Sequence, residues 1–202
     1  MTLLDYKQLA IKYSAASVED LFGVFENEIA FDWSDLYKEM GWGLHGFITS
    51  QNFQGFNFIF DCTEIDPDPI STRLPDSRVV GVFGYSNTNV NLSNRKMMRK
   101  HLGQSTKVFS FFGDNYDKGH FIAHMSGGPI DINLFPQRHD VNCGISPEGK
   151  RYRAMEKFVA KNPGTFVFSR PIYNDFSCCP YEIEYGYCDA EFNFTVEVFP
   201  NR

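Results

Sequence analysis

The period of apolar and polar residues changes along the chain, and the changes mark the elements. Residues 1–40 carry a helical spacing. Leu3, Leu4, Leu9 and Ile11 form one stripe, and after Ser17, a candidate N-cap with Asp20 three residues on, Leu21, Phe22 and Phe25 continue it. Trp33–Met40 predicts a further short helix. From Gly46 to Cys62 the period drops to two, with Phe53, Phe56, Phe58 and Phe60 alternating against polar residues. That pattern predicts a hairpin with its turn near Gln54-Gly55.

Residues 66–77 (DPDPISTRLPDS) mix prolines, acids and hydroxyls and predict a linker or long surface loop. A strand over Arg78–Tyr85 follows. Beyond a polar turn, Ser93 is positioned to cap a basic helix over Asn94–Leu102, and Lys107–Phe112 reads as a short apolar strand. Asp117-Lys118-Gly119-His120 then opens a strand-like FIAHM. Gly127-Gly128-Pro129 turns it and Ile130–Phe135 returns, so a second hairpin is expected. Ser146-Pro147-Glu148 is a strong helix start with proline at the first helical position. The helix runs to Lys161, with Tyr152, Met155 and Val159 on one buried face, and Asn162-Pro163-Gly164 ends it. Thr165–Ser169, Tyr181–Tyr185 and Phe192–Phe199 alternate well enough to close an antiparallel sheet. The expected fold class is α+β.

Composition narrows this picture. The 202 residues are 43% hydrophobic and include 21 Phe, enough for one compact domain with a substantial core. A net charge of -6 excludes a protein that coats nucleic acid through a broad basic surface. Two local basic groups, Arg95, Lys96, Arg99, Lys100 and Lys150, Arg151, Arg153, read first as solvated helix faces. The five cysteines lack the even, regular spacing of a disulfide framework, so reduced thiols are expected, with Cys178, Cys179 and Cys188 as packing residues. Residues 1–20 hold no apolar stretch long enough for a signal peptide or a membrane span. The expectation is a cytoplasmic protein or one exported by dedicated machinery.

Candidate chemistry gathers after residue 116. Phosphodiester hydrolysis needs a base for water, an electrophile for the phosphoryl oxygens and relief for the departing oxygen, and one histidine with one hydrated divalent ion supplies all three. Asp117-Lys118-Gly119-His120 is followed by Asn133-Leu134-Phe135-Pro136-Gln137 and then by Asn142-Cys143-Gly144. In order and spacing these resemble the D-R-G-H and N-x-x-P-Q…N-x-G signature of the DNA/RNA non-specific endonucleases of the ββα-metal (His-Me finger) superfamily. The similarity covers about Phe112–Glu156, and PGTFVFSRPIY (163–173) looks like a continuation found in bacterial members. Residues 1–75 carry none of it.

The resemblance implies a ββα-metal hairpin and helix packed on the antiparallel sheet, and the periodicity of the first residues places a helical N-terminal extension before it. Residues 1–75 would form that extension and 76–202 the nuclease domain, with one continuous domain over 1–202 as the alternative. By the same resemblance His120 is the general base, Asn142 the direct ligand of Mg²⁺ or Mn²⁺, and Asn133 and Glu156 complete the catalytic set. Lys118, Arg138 and Arg153 would meet phosphate, while Asp117 and Gln137 support the site. Two departures stand out: Lys118 replaces the arginine and loses its bidentate fork, and Ile145–Arg151 lengthens the path from Asn142 to Glu156. The substrate implied is DNA, RNA or both, with 5′-phosphate products. Related toxins imply an exported effector and a cognate immunity protein.

Blander readings accompany these. Asn133 and Asn142 suit turns and caps without any metal. His124 and His139 read as structural or peripheral, since HFIAH lacks the glutamate of a zinc helix. Arg170, beside Pro171, reads as a solvated rim residue. Two other functions remain open: an inactive scaffold that binds nucleic acid or protein, and a zinc hydrolase using His120, His124 and a carboxylate.

Overall fold

The computed structural model describes residues 4–41, 43, 47–62, 77–87, 115–130 and 132–202. The expected loop over 66–77, apart from its last residue, the basic helix over 94–102 and the strand over 107–112 lie outside the described residues. The fold is α+β. Helices α1 (Tyr6–Lys12), α2 (Leu21–Val24) and α3 (Ala30–Glu39) come first, with a π-helical turn at Phe25–Ile29 joining the last two. Strands β1 (Phe47–Phe53), β2 (Phe56–Cys62) and β3 (Ser77–Tyr85) follow. Next come β4 (Tyr116–His120), β5 (Leu134–Arg138), α4 (His139–Asn142), α5 (Pro147–Lys161), β6 (Phe166–Ile172), β7 (Glu182–Cys188) and β8 (Phe194–Pro200). Among the described residues no helix is long and apolar enough to cross a membrane.

Local signals work where they are strong. The Asp20 carboxylate accepts from the backbone N–H groups of Ala16 and Ser17 at 2.9 Å, starting the second helical run. Gln54 and Gly55 both take positive φ, 53° and 89°, the left-handed pair a two-residue hairpin turn requires. Ser146 Oγ accepts from Gly149 N at 3.0 Å and so caps α5 as its sequence predicted.

Six strands form one antiparallel sheet in the order β1-β2-β3-β6-β7-β8, and β4 pairs with β5 in a separate two-stranded hairpin. Residues 47–62 therefore share a sheet with strands from beyond residue 76. Both faces of that sheet are covered. Phe166 and Phe168 point to one side, into a core of Tyr6, Leu21, Phe25, Ile29 and Trp33 from the N-terminal helices. Val167 points to the other, against Phe121, Phe135, Tyr152 and Val159 of the hairpin and α5. The chain is thus layered as helices, sheet, then hairpin and helix, and each buried large apolar side chain contributes about 1.5–3 kcal/mol.

The second hairpin differs from its expected register. The motif residues 116–120 are themselves the strand, FIAHM is not, and the returning strand begins at Leu134. Between them the chain bends through a 3₁₀ turn at His124–Ser126. Asn133 explains the shift: its amide accepts from Ile122 N at 2.9 Å and donates to Ile122 O at 2.7 Å and Pro129 O at 2.9 Å. That side chain replaces ladder bonds that a longer strand would have made. Arg170 also departs from expectation. It is buried and ion-paired to Glu184 at 2.6 Å across β6 and β7, because the strand continues through Pro171 into the core.

A bulge in β3 shifts its register against β2 between Ile59 and Phe60, and Gly81 sits there under the Trp33 ring. A β-carbon at Gly81 would lie 2.4 Å from Trp33 Cε3. Gly81→Ala is expected to cost about 1–3 kcal/mol through overpacking, read as a lower urea midpoint. An unchanged midpoint would mean that the ring is free to move aside.

Candidate functional site

Strand β4 carries Asp117, Lys118, Gly119 and His120, paired in register with Gln137, Pro136, Phe135 and Leu134 of β5. Alternation sends Lys118 and His120 to one side of the hairpin and Asp117 and Gly119 to the other. Glycine is required at 119 by its neighbour: a β-carbon there would lie 2.3 Å from Oε1 of the buried Gln137. The glycine of the motif and the glutamine of the later segment are thus two halves of one packing contact.

The hairpin leads straight into α4, which folds back over β4. Asn142 Nδ2 donates to Asp117 Oδ2 at 2.9 Å, so two motif residues far apart in sequence meet. His139 Nδ1 lies 2.9 Å from the same oxygen, and Cys143 Sγ lies 3.5 Å from it. Among the described residues, Asp117, His139 and Cys143 form the group of acidic, histidine and cysteine side chains able to hold a metal ion. Neither His120 nor His124 belongs to that group. The Cys143 thiol, though exposed, is held above its ordinary value by partial desolvation and by the Asp117 carboxylate beside it.

His120 ends β4, and its backbone carbonyl accepts from the hydroxyl of buried Tyr152 at 3.2 Å. Tyr152 packs on Tyr185 with ring centroids 5.2 Å apart. Burial pushes both hydroxyls far up, and the nearby Glu156 carboxylate adds to the effect. Glu156 itself is pushed up to about 7, first by burial and against the smaller opposing pull of Arg153. Gln137 also faces the Tyr152 hydroxyl. Glu156 is half-buried on α5, near the Tyr152 and Tyr185 hydroxyls.

Other expected site residues are engaged elsewhere. The Asn133 amide is occupied by the loop it closes. Arg138 forms a bidentate pair with Asp140, Nε to Oδ1 at 2.8 Å and a terminal nitrogen to Oδ2 at 2.6 Å. That pair holds the Asp140 carboxyl down at about 2. Arg153, exposed on α5, reaches the end of α4 with its guanidinium 3.4 Å from Asn142 O. His124 Nδ1 lies 3.4 Å from Gly128 O, within its own turn, and its ring centroid is 6.4 Å from that of His120. Cys143 carries no sequence signal of its own, and His139 reads from sequence as structural or peripheral. Their spacing of four was the available signal, but only the fold supplies Asp117 as the third donor.

No protein-family model matches the chain, and no curated protein matches it. Among solved structures it is similar to one titled "Structure of Sda1 nuclease with bound zinc ion". The identity is 16%, the TM-score 0.37, and the alignment covers 77% of this chain and 75% of that one.

The raised Glu156 value has a consequence for stability. Its unfolded value is about 4.3, so the folded chain holds the proton more tightly. The resulting stabilisation is complete below about pH 4 and is lost as pH rises through about 7. Glu156→Gln fixes the neutral form and should be more stable than the parent at pH 8 by on the order of 1–3 kcal/mol, the gap closing toward pH 4. Urea unfolding at the two pH values checks this, and a gap independent of pH contradicts it.

Proposed function

We propose that the chain is a metal-dependent nuclease of the ββα-metal type that hydrolyses phosphodiester bonds in DNA, RNA or both. The observation that carries the reading is the contact between Asp117 and Asn142, which brings the first and last parts of the motif together on a hairpin that leads into helices. A chance D-x-G-H has no reason to fold against its later asparagine.

The donor set fits a hydrated divalent ion. With its Nδ2 committed to Asp117, Asn142 is left with its amide oxygen to offer, and one protein oxygen with waters suits Mg²⁺ or Mn²⁺. Such an ion supplies charge stabilisation at the phosphoryl and leaving oxygens. The chain supplies the rest. Neutral His120 takes the proton of the attacking water, and Lys118, on the same side of β4, offers a positive charge to phosphate. Tyr152, whose hydroxyl donates to the His120 carbonyl, fixes the backbone of the residue carrying the base. Asn133 holds the loop between the two strands. The helical N-terminal segment is read as part of one continuous domain, since β1 and β2 lie in the common sheet. A role as an exported effector with an immunity protein belongs to this proposal.

Plasmid DNA and total RNA incubated with the purified chain test it. Cleavage should need Mg²⁺, stop with EDTA, and fall about 10²–10⁴-fold in His120→Ala. Asn142→Ala should demand more metal for the same rate. Cleavage that survives EDTA removes the metal from the reading. No EDTA-sensitive cleavage above the His120→Ala background leaves a binding module on this scaffold.

A further inference from the structure

We infer that Asp117, His139 and Cys143 form a separate, thiophilic cation site that takes Zn²⁺ with three protein ligands and an open fourth position. The inference rests on this cluster alone and stands whether or not the chain cuts nucleic acid.

The three donor atoms make a triangle with edges of 2.9 Å (Asp117 Oδ2 to His139 Nδ1), 3.5 Å (Asp117 Oδ2 to Cys143 Sγ) and 3.7 Å (Cys143 Sγ to His139 Nδ1). A tetrahedral zinc with ordinary bonds of about 2.0–2.3 Å separates an oxygen, a nitrogen and a sulfur by roughly 3.3–3.6 Å. The Asp117–Cys143 edge already has that length, the Cys143–His139 edge is longer by about 0.1 Å, and the third needs to open by about 0.4 Å. A tetrahedral zinc stands out of the plane of the three donors, which leaves its fourth position on the far side from them.

The chemistry of the donors points the same way. Cys143 is exposed, so it is not a packing residue, and a thiol is a weak partner for a carboxylate where serine would serve better. Thiolate and imidazole with one carboxylate select zinc over Mg²⁺ or Ca²⁺, which prefer oxygen throughout. The side chain of His139 is about half exposed, 52%, so solvent reaches the fourth vertex. Asn142, donating to Asp117 Oδ2, is placed to orient the carboxylate ligand from outside the triangle. His120 is not among the three donors, so ion binding here can be read apart from the general base. An ion held here clips β4 to the end of α4.

Cobalt replacement reads the site without any activity assay. Titrating the intact chain with Co²⁺ should give one equivalent of a thiolate-to-metal charge-transfer band with tetrahedral visible absorption, and Zn²⁺ should bleach both. Cys143→Ser should remove the charge-transfer band. Cys143→Ser and His139→Ala should each weaken zinc binding by about a hundredfold or more, beyond the usual effect of an outer-shell change. His120→Ala should leave band and affinity unchanged, as should excess Mg²⁺. The thermal unfolding midpoint should rise with zinc in the parent but not in Cys143→Ser. No charge-transfer band in the folded parent overturns the site. So does its loss in His120→Ala, which would move the ion to the base. Displacement of cobalt by Mg²⁺ would make this the oxygen-preferring ion's site and likewise overturn the inference. Each of these outcomes is independent of whether His120 supports cleavage.

Discussion

The six-stranded sheet is covered on both faces, and side-chain alternation along its strands divides them between two cores. Phe166 and Phe168 go to the N-terminal helices while Val167 goes to the hairpin and α5. A central strand buried this way tolerates little polarity, yet β6 carries Arg170 and β7 carries Glu184. Their ion pair is compensated by Tyr6, whose hydroxyl donates to Glu184 and accepts from Trp33 Nε1 at 3.0 Å. The first helix, the tryptophan under Gly81 and the middle of the sheet are thereby joined in one buried polar chain. Removing one partner of such a pair leaves an uncompensated charge, which makes this network the tie between the N-terminal segment and the rest of the domain.

The opposite face of the sheet positions the candidate site. Val141, Tyr152, Met155 and Val159 anchor α4 and α5 against Val167, Ile183 and Tyr185. Tyr152 extends from that core to the carbonyl of His120. The end of β4 is thus located by the packing of α5. The hairpin adds its own constraint through Gly119 and Gln137. Glu156 on α5 responds to its apolar setting by holding its proton up to about pH 7.

Much of this was legible in the chain. Ser146-Pro147 set the start of α5, Gln54-Gly55 the first hairpin turn, and the alternation of β6 to β8 their places as strands, because each is decided by neighbours within a few residues. The motif residues were also visible, as was the α+β class. What failed shows where local rules end. FIAHM alternates like a strand, but Asn133 reaches eleven residues back to bond both backbone groups of Ile122, so the chain bends instead. Arg170 looked like a rim residue until Glu184 arrived beside it on the next strand.

By itself the sequence determined the N-terminal helices, α5, most strands and the order of the D-K-G-H, N-L-F-P-Q and N-C-G segments, since periodicity, caps and turns act over short separations. The tertiary structure alone decided that Asp117 meets Asn142, His139 and Cys143, that Glu156 lies near the Tyr185 hydroxyl, and that residues 47–62 share a sheet with residues 166–200. Those facts depend on strand pairing and on the layering of two cores, which no run of neighbouring residues encodes.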